Sequence, residues 1–401
     1  MISRTQNFVP EKLGHQATLM KGYIDRGEVA GLVAAVCRGG EEHVEAVGVQ
    51  DLESKTPMRR DSIFRIASTS KPIAAAAAMI LMDEGKCKLD DSIFRWLPEL
   101  QNMRVLRSIE SRMDDTVPAD RPITVRDLLT FQMGLGFIMA ESGKYPIQQA
   151  IADAGLVPGP IPPQMTEDQW LKNLASLPLA YQPGERWLYH TGSDVLGVLI
   201  ARISGMTLER FMTEKLFQPL GMKDTAFSVP AEKMDRFTTA YFPNQDNELV
   251  VFDPAKGGKW ASPPVFQSAG GGLVSTADDL LKFGRMMRDK GEFGGKRIIR
   301  KESVNAMITD QLSPATKAAS HFFTGFWNTR GWGLGTVIFT AADAYTQTPG
   351  RFGWDGGMGT SWCSHPEKDL VGVLLTQRSW TSPVPPAVYV DFWKSTYEAI
   401  D

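Results

Sequence analysis

The order of hydrophobic and polar positions divides the chain into an early mixed part, a helical middle and a late strand-rich part. A helical period over residues 10–27 precedes two apolar runs, Gly31 to Cys37 and His43 to Val49, which Gly39-Gly40 separates. A period of about 3.6 residues is typical of an amphipathic helix, and short apolar runs around a glycine turn predict a β-hairpin. The chain is therefore expected to begin with a helix and a hairpin.

The middle of the chain, from Ser68 to about Gly205, has a mostly helical pattern. Its clearest segments are ITVRDLLTF, a stretch opened by the capping box Thr166-x-x-Gln169, and SDVLGVLIARISG, where Ser193 is the expected N-cap. Strand-like runs return only late, in GWGLGTVIF, GTSWCSH and DLVGVLLTQ, before an amphipathic stretch near residues 386–399.

Early and late strands around a helical middle predict an α+β fold in which one sheet is built from both chain ends. We expect the sheet domain to comprise residues 1–65 and 266–401, with a mainly helical domain, residues 66–265, inserted between them. The chain length supports this division, because 401 residues exceed the roughly 250–300 at which single hydrophobic cores stop growing.

Composition and charge narrow the class of partner. Hydrophobic residues make up 43% of the chain and charged residues 22%, which is enough apolar surface for a globular enzyme. The formal net charge is -3, without long runs of one sign. A chain of this kind lacks the basic footprint of a nucleic-acid or anionic-membrane protein. We therefore expect a small, roughly neutral ligand and neither nucleic acid nor membrane as a partner.

The cysteines and the termini bear on the compartment. The only cysteines are Cys37, Cys87 and Cys363, and none lies in a cluster with metal-ligand spacing, so we expect a reducing compartment, no metal and no cofactor. The N-terminal segment MISRTQNFVPEK lacks the apolar core of a signal peptide, and no stretch reaches the roughly 18 apolar residues of a membrane span. These features predict a cytoplasmic protein.

The segment FRIASTSKPIAAAAAMILMDEG contains the only Ser-x-x-Lys of the chain. Its alanine-rich run is a strong helix former and Gly85 is a natural stop, so the helix is predicted to begin at Ser68 or Thr69. Residues three apart share one helix face, and a helix N-terminus favours developing negative charge. Ser68 is therefore a candidate nucleophile, and Lys71 the amine that helps to activate it.

Tyr189, in GERWLYHTGSDVLG, is the second candidate. A tyrosine in this loop can project its phenol into a cleft, where the ammonium of Lys71 would lower its pKa toward that of a usable base. The alternative is a packing residue with a polar tip. The adjacent His190 is interpreted as a surface residue rather than as the base of a triad.

A glycine-punctuated segment, GWDGGMGTSW, lies in the strand-rich part. Glycine within a strand often marks the close approach of a ligand, so an N–H group here is a candidate oxyanion donor; tight sheet packing is the alternative. The chain contains no G-x-S-x-G nucleophile elbow. That absence argues for a lysine-tyrosine mechanism rather than the histidine mechanism of α/β-hydrolases.

Six segments together resemble one superfamily in order and spacing: FRIASTSKP, LLTFQMGLG, the Trp187-Leu188-Tyr189 triplet, LFQPLGMKDTAF, GGGLVSTADDL and WDGG. The chain resembles the class C β-lactamase and penicillin-binding-protein superfamily over nearly its whole length, most closely the family VIII carboxylesterases. The resemblance implies a β-lactamase/penicillin-binding-protein-like fold, with a central antiparallel sheet flanked by helices, an inserted helical domain, and an active site between the two domains.

The resemblance also implies roles for individual residues. Ser68 would be the acylated nucleophile, and Tyr189 the base for attack and the acid for the leaving group. Lys71 would hold the protons of both hydroxyl groups in place. The backbone N–H groups of Ser68 and Gly357 would form the oxyanion hole, and water activated by the same pair of side chains would free the acid.

Two departures from the β-lactamases shape the expected pocket. The chain has Trp354, Asp355 and Gly356 where the lactamases place Lys-Thr-Gly, and Thr191 where they place an asparagine. The lost lysine and asparagine bind a carboxylate and an acylamino group, and each missing charge-assisted hydrogen bond is worth roughly 1.5–3 kcal/mol. Trp354 instead suggests an apolar wall suited to esters, and Phe137 adds a bulky aromatic group; the role of Asp355 is left open.

The leading hypothesis is therefore a carboxylesterase for short to medium acyl esters, with a small-molecule ester as its partner. Three alternatives stay open: an acyltransferase of the same fold, a weak β-lactamase or peptidase, and a non-catalytic ligand-binding relative of the penicillin-binding proteins. No sequence feature assigns the oligomeric state.

Overall fold

The structure, a computed structural model, describes residues 7–400. Residues 1–6, which open the N-terminal segment from which no signal peptide was inferred, and residue 401 lie outside the described residues. Within the described range the α-helices are α1 (Pro10–Asp25), α2 (Ser70–Asp83), α3 (Val125–Leu129), α4 (Pro146–Asp153), α5 (Glu167–Ala175), α6 (Thr191–Ser204), α7 (Leu208–Met212), α8 (Gln218–Leu220), α9 (Ala277–Arg288), α10 (Lys301–Met307), α11 (Pro314–Ala319) and α12 (Ala387–Glu398).

The strands divide between one large sheet and several two-stranded ones. In chain order they are β1 (Gly31–Arg38), β2 (Glu41–Gly48), β3 (Phe64–Arg65), β4 (Arg104–Leu106), β5 (Thr116–Pro118), β6 (Ala240–Pro243), β7 (Leu249–Asp253), β8 (Val274–Ser275), β9 (Glu292–Phe293), β10 (Lys296–Arg297), β11 (Arg330–Trp332), β12 (Val337–Phe339), β13 (Phe352–Gly356), β14 (Thr360–His365) and β15 (Leu370–Thr376).

The large sheet has seven strands, all antiparallel to their neighbours, in the order β11-β12-β13-β14-β15-β1-β2. β1, near the start of the chain, pairs with β15, near its end, and places Leu32 opposite Thr376. β1 and β2 form the expected hairpin, with Arg38 opposite Glu41. The predicted fold class is thereby confirmed: an α+β fold with a central antiparallel sheet that contains strands from both ends of the chain.

Both faces of the sheet are buried at β1, which explains the continuous apolar run of that strand. Val33 and Ala35 belong to the hydrophobic cluster that contains Leu280 of α9. Leu32, on the opposite face, belongs to a second cluster with Phe392 of α12. Because successive side chains of a strand point to opposite faces, a strand covered on both sides needs apolar residues at every position.

The middle of the chain is mostly helical, with the small sheets β4–β5 and β6–β7 added. α2 is buried from Ser70 to Leu81 and packs against α6. Alanine has the highest helix propensity and a small side chain, so α2 stays helical while its neighbours approach closely. Gly85, with φ of 73°, follows the last turn as predicted. The domain boundaries at residues 65 and 266 stay a prediction.

Two helix starts differ from the sequence-based expectations. Ser68 lies in a 3-10 turn, Ala67–Thr69, that precedes α2, instead of in the first turn of the α-helix. The expected cap at Ser193 is wrong, because α6 already begins at Thr191 with His190 as its N-cap. His190 has a φ of 85°, and its carbonyl accepts the Ser193 N–H at 2.8 Å, so Ser193 lies inside the first turn.

The described residues also bear on membranes, metals and thiols. Between residues 7 and 400, no helix is both long enough and apolar enough to cross a membrane. The same range contains no group of three or more His, Cys, Asp or Glu side chains arranged to hold a metal ion. Cys37, Cys87 and Cys363 are buried free thiols.

Candidate active site

Ser68 lies where a short strand leads into a helix. β3 pairs with β8, and Ile66 N donates to Leu273 O at 3.0 Å, so the backbone before the serine is anchored. Ala67 has a φ of 43°, a left-handed value that costs a non-glycine residue on the order of 1–3 kcal/mol. The turn brings Ser68 to the wall of a cavity, one turn ahead of the buried helix α2.

Lys71 is a titratable partner of Ser68. Its Nζ lies 2.9 Å from Ser68 Oγ, also donates to Gly270 O, and lies 3.1 Å from His190 Nδ1. The side chain is almost fully buried, and burial lowers the pKa of Lys71 to about 7 although the charge of Asp194 acts in the opposite direction. A substantial fraction of Lys71 is therefore an uncharged amine at neutral pH, which is the form that accepts a proton.

Tyr189 lies in the loop before α6, and its ring contacts the amine of Lys71. Its Oη accepts a hydrogen bond of 2.8 Å from Trp354 Nε1, and Lys71 Nζ lies 4.5 Å from the centroid of its ring. Burial raises the pKa of Tyr189 well above its ordinary value, although hydrogen bonds with Ser68 and Trp354 lower it. The expectation that Lys71 would lower this pKa is wrong, because desolvation of the phenolate dominates.

His190 and Asp194 are functional candidates that the sequence analysis missed. His190 is only 6% exposed, so its interpretation as a surface residue is wrong. Its Nδ1 faces Lys71, and its Nε2 lies 3.2 Å from Asp194 Oδ2. Asp194 Oδ1 accepts hydrogen bonds from Ser268 Oγ at 2.7 Å and from Gly270 N at 3.0 Å. The available signal was the i, i+4 spacing of His190 and Asp194 at a helix start.

The protonation states of this pair follow from their surroundings. Burial, together with the nearby charge of Lys71, lowers the pKa of His190 and keeps its imidazole neutral at physiological pH. Burial by itself would raise the pKa of Asp194, but hydrogen bonds from His190, Ser268 and Gly270 lower it overall, so Asp194 is ionised. The buried chain of contacts thus ends on a carboxylate.

A cavity of about 430 Å³ opens beside Ser68. Three segments far apart in sequence supply half of its Phe, Tyr and Trp lining: Phe137 before α4, the residues between α11 and β11, and Trp354 on β13. Its lining residues include Ala67, Ser68, Phe137, Met139, Tyr189, His190, Gly271, Phe322, Phe323, Phe326, Arg330, Val337, Phe339, Trp354, Asp355 and Gly357.

The segment HFFTGFW supplies much of the aromatic wall and was not singled out from the sequence. Its Phe322 lies 5.3 Å from Tyr189 and 6.1 Å from Trp354 between ring centroids, and Phe326 lies 6.3 Å from Trp354. Such tilted and edge-on pairs are the preferred geometries of aromatic rings. The density of aromatic residues in the segment between α11 and β11 was the signal that could have identified it.

Of the five residues predicted to shape the pocket, three line the cavity and two do not. Phe137, Trp354 and Asp355 line the cavity, whereas Gly356 and Thr191 are absent from its lining. A side chain at Gly356 would lie 2.2 Å from Ile66 O, so this glycine serves the close contact between β13 and the serine turn. Thr191 is buried in the first turn of α6. Gly356 and Thr191 lie outside the lining of this cavity, and their assignment to the substrate pocket stays a prediction.

Asp355 combines a cavity position with a perturbed carboxyl group. Ser361 Oγ donates to Asp355 Oδ1 at 2.7 Å and accepts from Trp393 Nε1 at 3.0 Å. Burial raises the pKa of Asp355 to about 6, although the Ser361 hydrogen bond and the charge of Arg330 lower it. Near pH 6 the cavity therefore changes by one charge, which an all-apolar wall would not do.

The expected oxyanion donors lie on two different elements beside one cavity. Gly357 directly follows β13, and Ser68 precedes α2; both line the cavity. A Cβ placed on Gly357 would meet no atom within 4 Å, so its backbone borders open space. Glycine at this position lets a substrate oxygen approach the N–H group closely. The assignment of the two N–H groups to an oxyanion hole stays a prediction.

Comparison with known proteins identifies the family. The family described as Beta-lactamase matches residues 17–387. Esterase EstB of Burkholderia gladioli is 31% identical over 372 residues, which cover 88% of this chain and 87% of the esterase. Protein Rv1367c of Mycobacterium tuberculosis (strain ATCC 25618 / H37Rv) is 39% identical over 372 residues, covering 91% of this chain and 89% of that protein.

Solved structures agree with these sequence relatives. EstCE1, described as a hydrolase with promiscuous acyltransferase activity, superposes with a TM-score of 0.78 at 25% identity, and the match covers 96% of this chain and 99% of EstCE1. The resemblance derived from the six sequence segments is thus confirmed. With a family match over most of its length and a relative more than 30% identical, the chain belongs to the beta-lactamase family.

Proposed function

We propose that this protein is a carboxylesterase that hydrolyses esters of short to medium acyl chains through a covalent intermediate on Ser68. The observation that carries the proposal is the 2.9 Å contact between Ser68 Oγ and Lys71 Nζ at the wall of a largely aromatic cavity. A buried amine beside a serine supplies the base that this weak nucleophile needs. The similarity to Esterase EstB supports an ester substrate.

Acylation follows from the protonation states of three side chains. The uncharged amine of Lys71 takes the proton of Ser68 Oγ while that oxygen forms a bond to the ester carbonyl carbon. The carbonyl electron pair moves onto oxygen, where the N–H groups of Ser68 and Gly357 stabilise the negative charge. When the tetrahedral intermediate collapses, Tyr189 donates its phenolic proton to the departing alcohol oxygen, and the proton on Lys71 restores the neutral phenol.

Deacylation repeats these steps with water as the nucleophile. Water gives a proton to Lys71 as its oxygen bonds to the acyl carbon, and the Ser68 oxygen leaves and takes a proton back. The resemblance implied that Tyr189 is both the base for attack and the acid for the leaving group. The proposed mechanism gives the first role to Lys71 and the second to Tyr189. Lys71, with a pKa of about 7, suits the base, whereas Tyr189, held protonated by burial, suits the acid.

The lining of the cavity favours esters over β-lactams. Trp354 and Asp355 stand where the β-lactamases place a lysine and a threonine, so the cation that binds the lactam carboxylate is missing and a carboxyl group is added. An ionised Asp355 repels an anionic substrate, while the rings of Phe322 and Phe326 offer apolar surface to an acyl or alcohol group. We therefore expect turnover of nitrocefin to be slow relative to ester hydrolysis.

Hydrolysis of p-nitrophenyl butyrate by wild type, Ser68→Ala and Ser70→Ala tests the proposal. Ser68→Ala is expected to lower kcat/KM by about 10³-fold or more. Ser70→Ala is the matched control, because Ser70 Oγ faces Leu273 N instead of Lys71. Mass spectrometry of quenched wild type is expected to show the butyryl group on the Ser68 peptide. Unchanged activity of Ser68→Ala would overturn the proposal.

Acyl transfer to an alcohol is a second candidate for the same acyl-enzyme. It is favoured by the apolar cavity, which admits an alcohol as readily as an ester, and by the description of EstCE1 as a hydrolase with promiscuous acyltransferase activity. Product analysis with increasing 1-butanol separates the two. A transferase forms mainly butyl ester at alcohol concentrations far below that of water, whereas an esterase continues to release mainly free acid.

A further inference from the structure

The strongest feature outside the serine, lysine and tyrosine is the chain of contacts behind Lys71. Its Nζ lies 3.1 Å from His190 Nδ1, and His190 Nε2 lies 3.2 Å from Asp194 Oδ2. We propose that His190 and Asp194 act as a positioning pair that orients Lys71 toward Ser68 and sets how basic its amine is. This inference rests on the proposed function of the Ser68 site.

The hydrogen bonds around Lys71 explain why His190 and Asp194 can orient its amine. A lysine ammonium has three donors and no acceptor, and Lys71 Nζ has three acceptors around it: Ser68 Oγ, Gly270 O and His190 Nδ1. His190 accepts at Nδ1 only if its proton is on Nε2, where it donates to Asp194. The carboxylate therefore selects the imidazole tautomer that receives Lys71.

Asp194 is itself held rigidly, so it can orient His190. Ser268 Oγ and Gly270 N both donate to Asp194 Oδ1, which leaves Oδ2 for His190. Gly270 thus contributes its N–H to the carboxylate and its carbonyl to Lys71. Supporting contacts of this kind determine how firmly a catalytic group is held and how strongly it binds a proton.

The groups that face Lys71 determine the direction in which its pKa changes when the pair is altered. Asp194 favours the ammonium form, and His190 accepts a hydrogen bond from it. The ring face of Tyr189 also attracts the cation, whereas Asp355 acts on Tyr189. Loss of the Asp194 charge therefore lowers the pKa of Lys71 below about 7. The amine then becomes available at lower pH but takes the Ser68 proton less readily.

The pH profile of kcat/KM for p-nitrophenyl butyrate tests the pair in wild type and Asp194→Asn. Activity in wild type is expected to rise with pH through a midpoint of about 7, as Lys71 loses its proton. In Asp194→Asn the midpoint is expected to fall by about one pH unit, and the plateau by about tenfold. Asp279→Asn is the matched control: Asp279 is equally buried but bonds Thr225 and Lys282.

Two substitutions of His190 test the pair in a way that does not depend on whether the Asp194→Asn variant folds. His190→Asn retains a side-chain acceptor for Lys71 but loses the link to Asp194, whereas His190→Leu removes both. The midpoint is expected to fall in His190→Leu, which removes an acceptor of the Lys71 ammonium, and to fall less in His190→Asn, which also keeps more activity. A merely structural role would lower kcat/KM in proportion to the folded fraction and leave every midpoint unchanged, which would overturn the inference.

Labelling of Ser68 by a fluorophosphonate separates this inference from the proposed function. The labelling rate depends on the nucleophilicity of Ser68 and needs no ester turnover. If wild type is labelled but hydrolyses no ester, the esterase proposal fails, and a lower midpoint of labelling in Asp194→Asn still supports the pair. If esters are hydrolysed but the midpoints of hydrolysis and of labelling are both unchanged in Asp194→Asn, only the inference about His190 and Asp194 fails. If Ser68 is not labelled and no ester is hydrolysed, both fail.

Discussion

At the scale of single residues, burial is the reason why the proposed mechanism makes Lys71 the base and Tyr189 the acid. Lys71 and Tyr189 are both removed from water, but desolvation disfavours the charged form of each, so it acts in opposite directions on the two pKa values. The amine becomes less basic and is partly uncharged near pH 7. The phenol becomes less acidic and keeps its proton. The pair is thus prepared for proton transfer before any substrate binds.

Tyr189→Phe should therefore cost most where the leaving group needs a proton. For ethyl butyrate, whose alkoxide is a poor leaving group, we expect kcat to fall by about 10²-fold. For p-nitrophenyl butyrate, whose phenolate leaves unprotonated at neutral pH, the loss should be several times smaller. Tyr181→Phe, at a tyrosine outside the cavity lining, is the control. Equal losses for the two esters would show that Tyr189 is not the acid.

Asp355 should make folding depend on pH in the acidic range. Its pKa is raised from 3.8 to about 6 in the folded protein, so the folded state holds a proton that the unfolded state has lost between these values. The free energy of unfolding therefore falls as pH rises through this window. Because Asp355 borders a cavity open to solvent, we expect about 1 kcal/mol instead of the roughly 3 kcal/mol of a fully enclosed group.

Asp355→Asn removes this dependence and provides the measurement. Urea unfolding at pH 4, 6 and 8 should show the variant gaining about 1 kcal/mol over wild type at pH 8 and nothing at pH 4. If the free energy of unfolding differed between variant and wild type by the same amount at all three pH values, a raised pKa of Asp355 in the folded state would be contradicted.

At the scale of elements, glycines control how closely helices approach the sheet. Gly284 on α9 faces β14 and β15, where a Cβ would lie 2.4 Å from both Trp362 Nε1 and Val371 Cγ1. The carbonyl of Gly284 also accepts a hydrogen bond of 2.8 Å from Ser364 Oγ. This glycine is therefore a packing requirement of the α9–sheet contact, although a glycine inside a helix is normally unfavourable.

Gly284→Ala and Gly14→Ala should change stability in opposite directions. Gly284→Ala forces atoms apart in a dense core and is expected to cost about 1–3 kcal/mol. Gly14 lies on the exposed side of α1, where a Cβ meets nothing within 4 Å, so Gly14→Ala should gain up to about 1 kcal/mol from helix propensity. Urea unfolding of both variants gives the comparison, and a stabilised Gly284→Ala would refute the packing argument.

At the scale of the whole molecule, the two chain ends form one structural unit. β1 pairs with β15, and α12 covers the face of the sheet that also contacts α1. Trp393 of α12 is fully buried and donates to Ser361, which in turn donates to Asp355 in the cavity. The C-terminal helix is therefore connected to the candidate site through two hydrogen bonds.

Trp393→Ala is expected to lower the free energy of unfolding by about 3–5 kcal/mol, because it leaves a large void against β15. Lys394→Ala, at the exposed neighbouring position, should change it by less than about 0.5 kcal/mol. Urea denaturation monitored by tryptophan fluorescence and by esterase activity gives both values. Because the site depends on the sheet, the two signals should have coincident midpoints; activity that outlasts the fluorescence transition would argue against that dependence.

The sequence by itself determined the features that depend on neighbouring residues. Periodicity predicted α1, the β1–β2 hairpin and the helix α12, and the three-residue spacing of Ser68 and Lys71 brought their side chains together in the structure. These predictions succeeded because helical and strand periods are local properties of the chain. The order and spacing of the six family segments also predicted the fold class.

Only the tertiary structure decided the features that arise from residues far apart in sequence. His190 was expected at the surface, but the loop around Gly270 and the start of α6 enclose it between Lys71 and Asp194. The pKa of Tyr189 rises because distant elements exclude water from its phenol. Desolvation depends on everything packed around a group, so no local pattern predicts it.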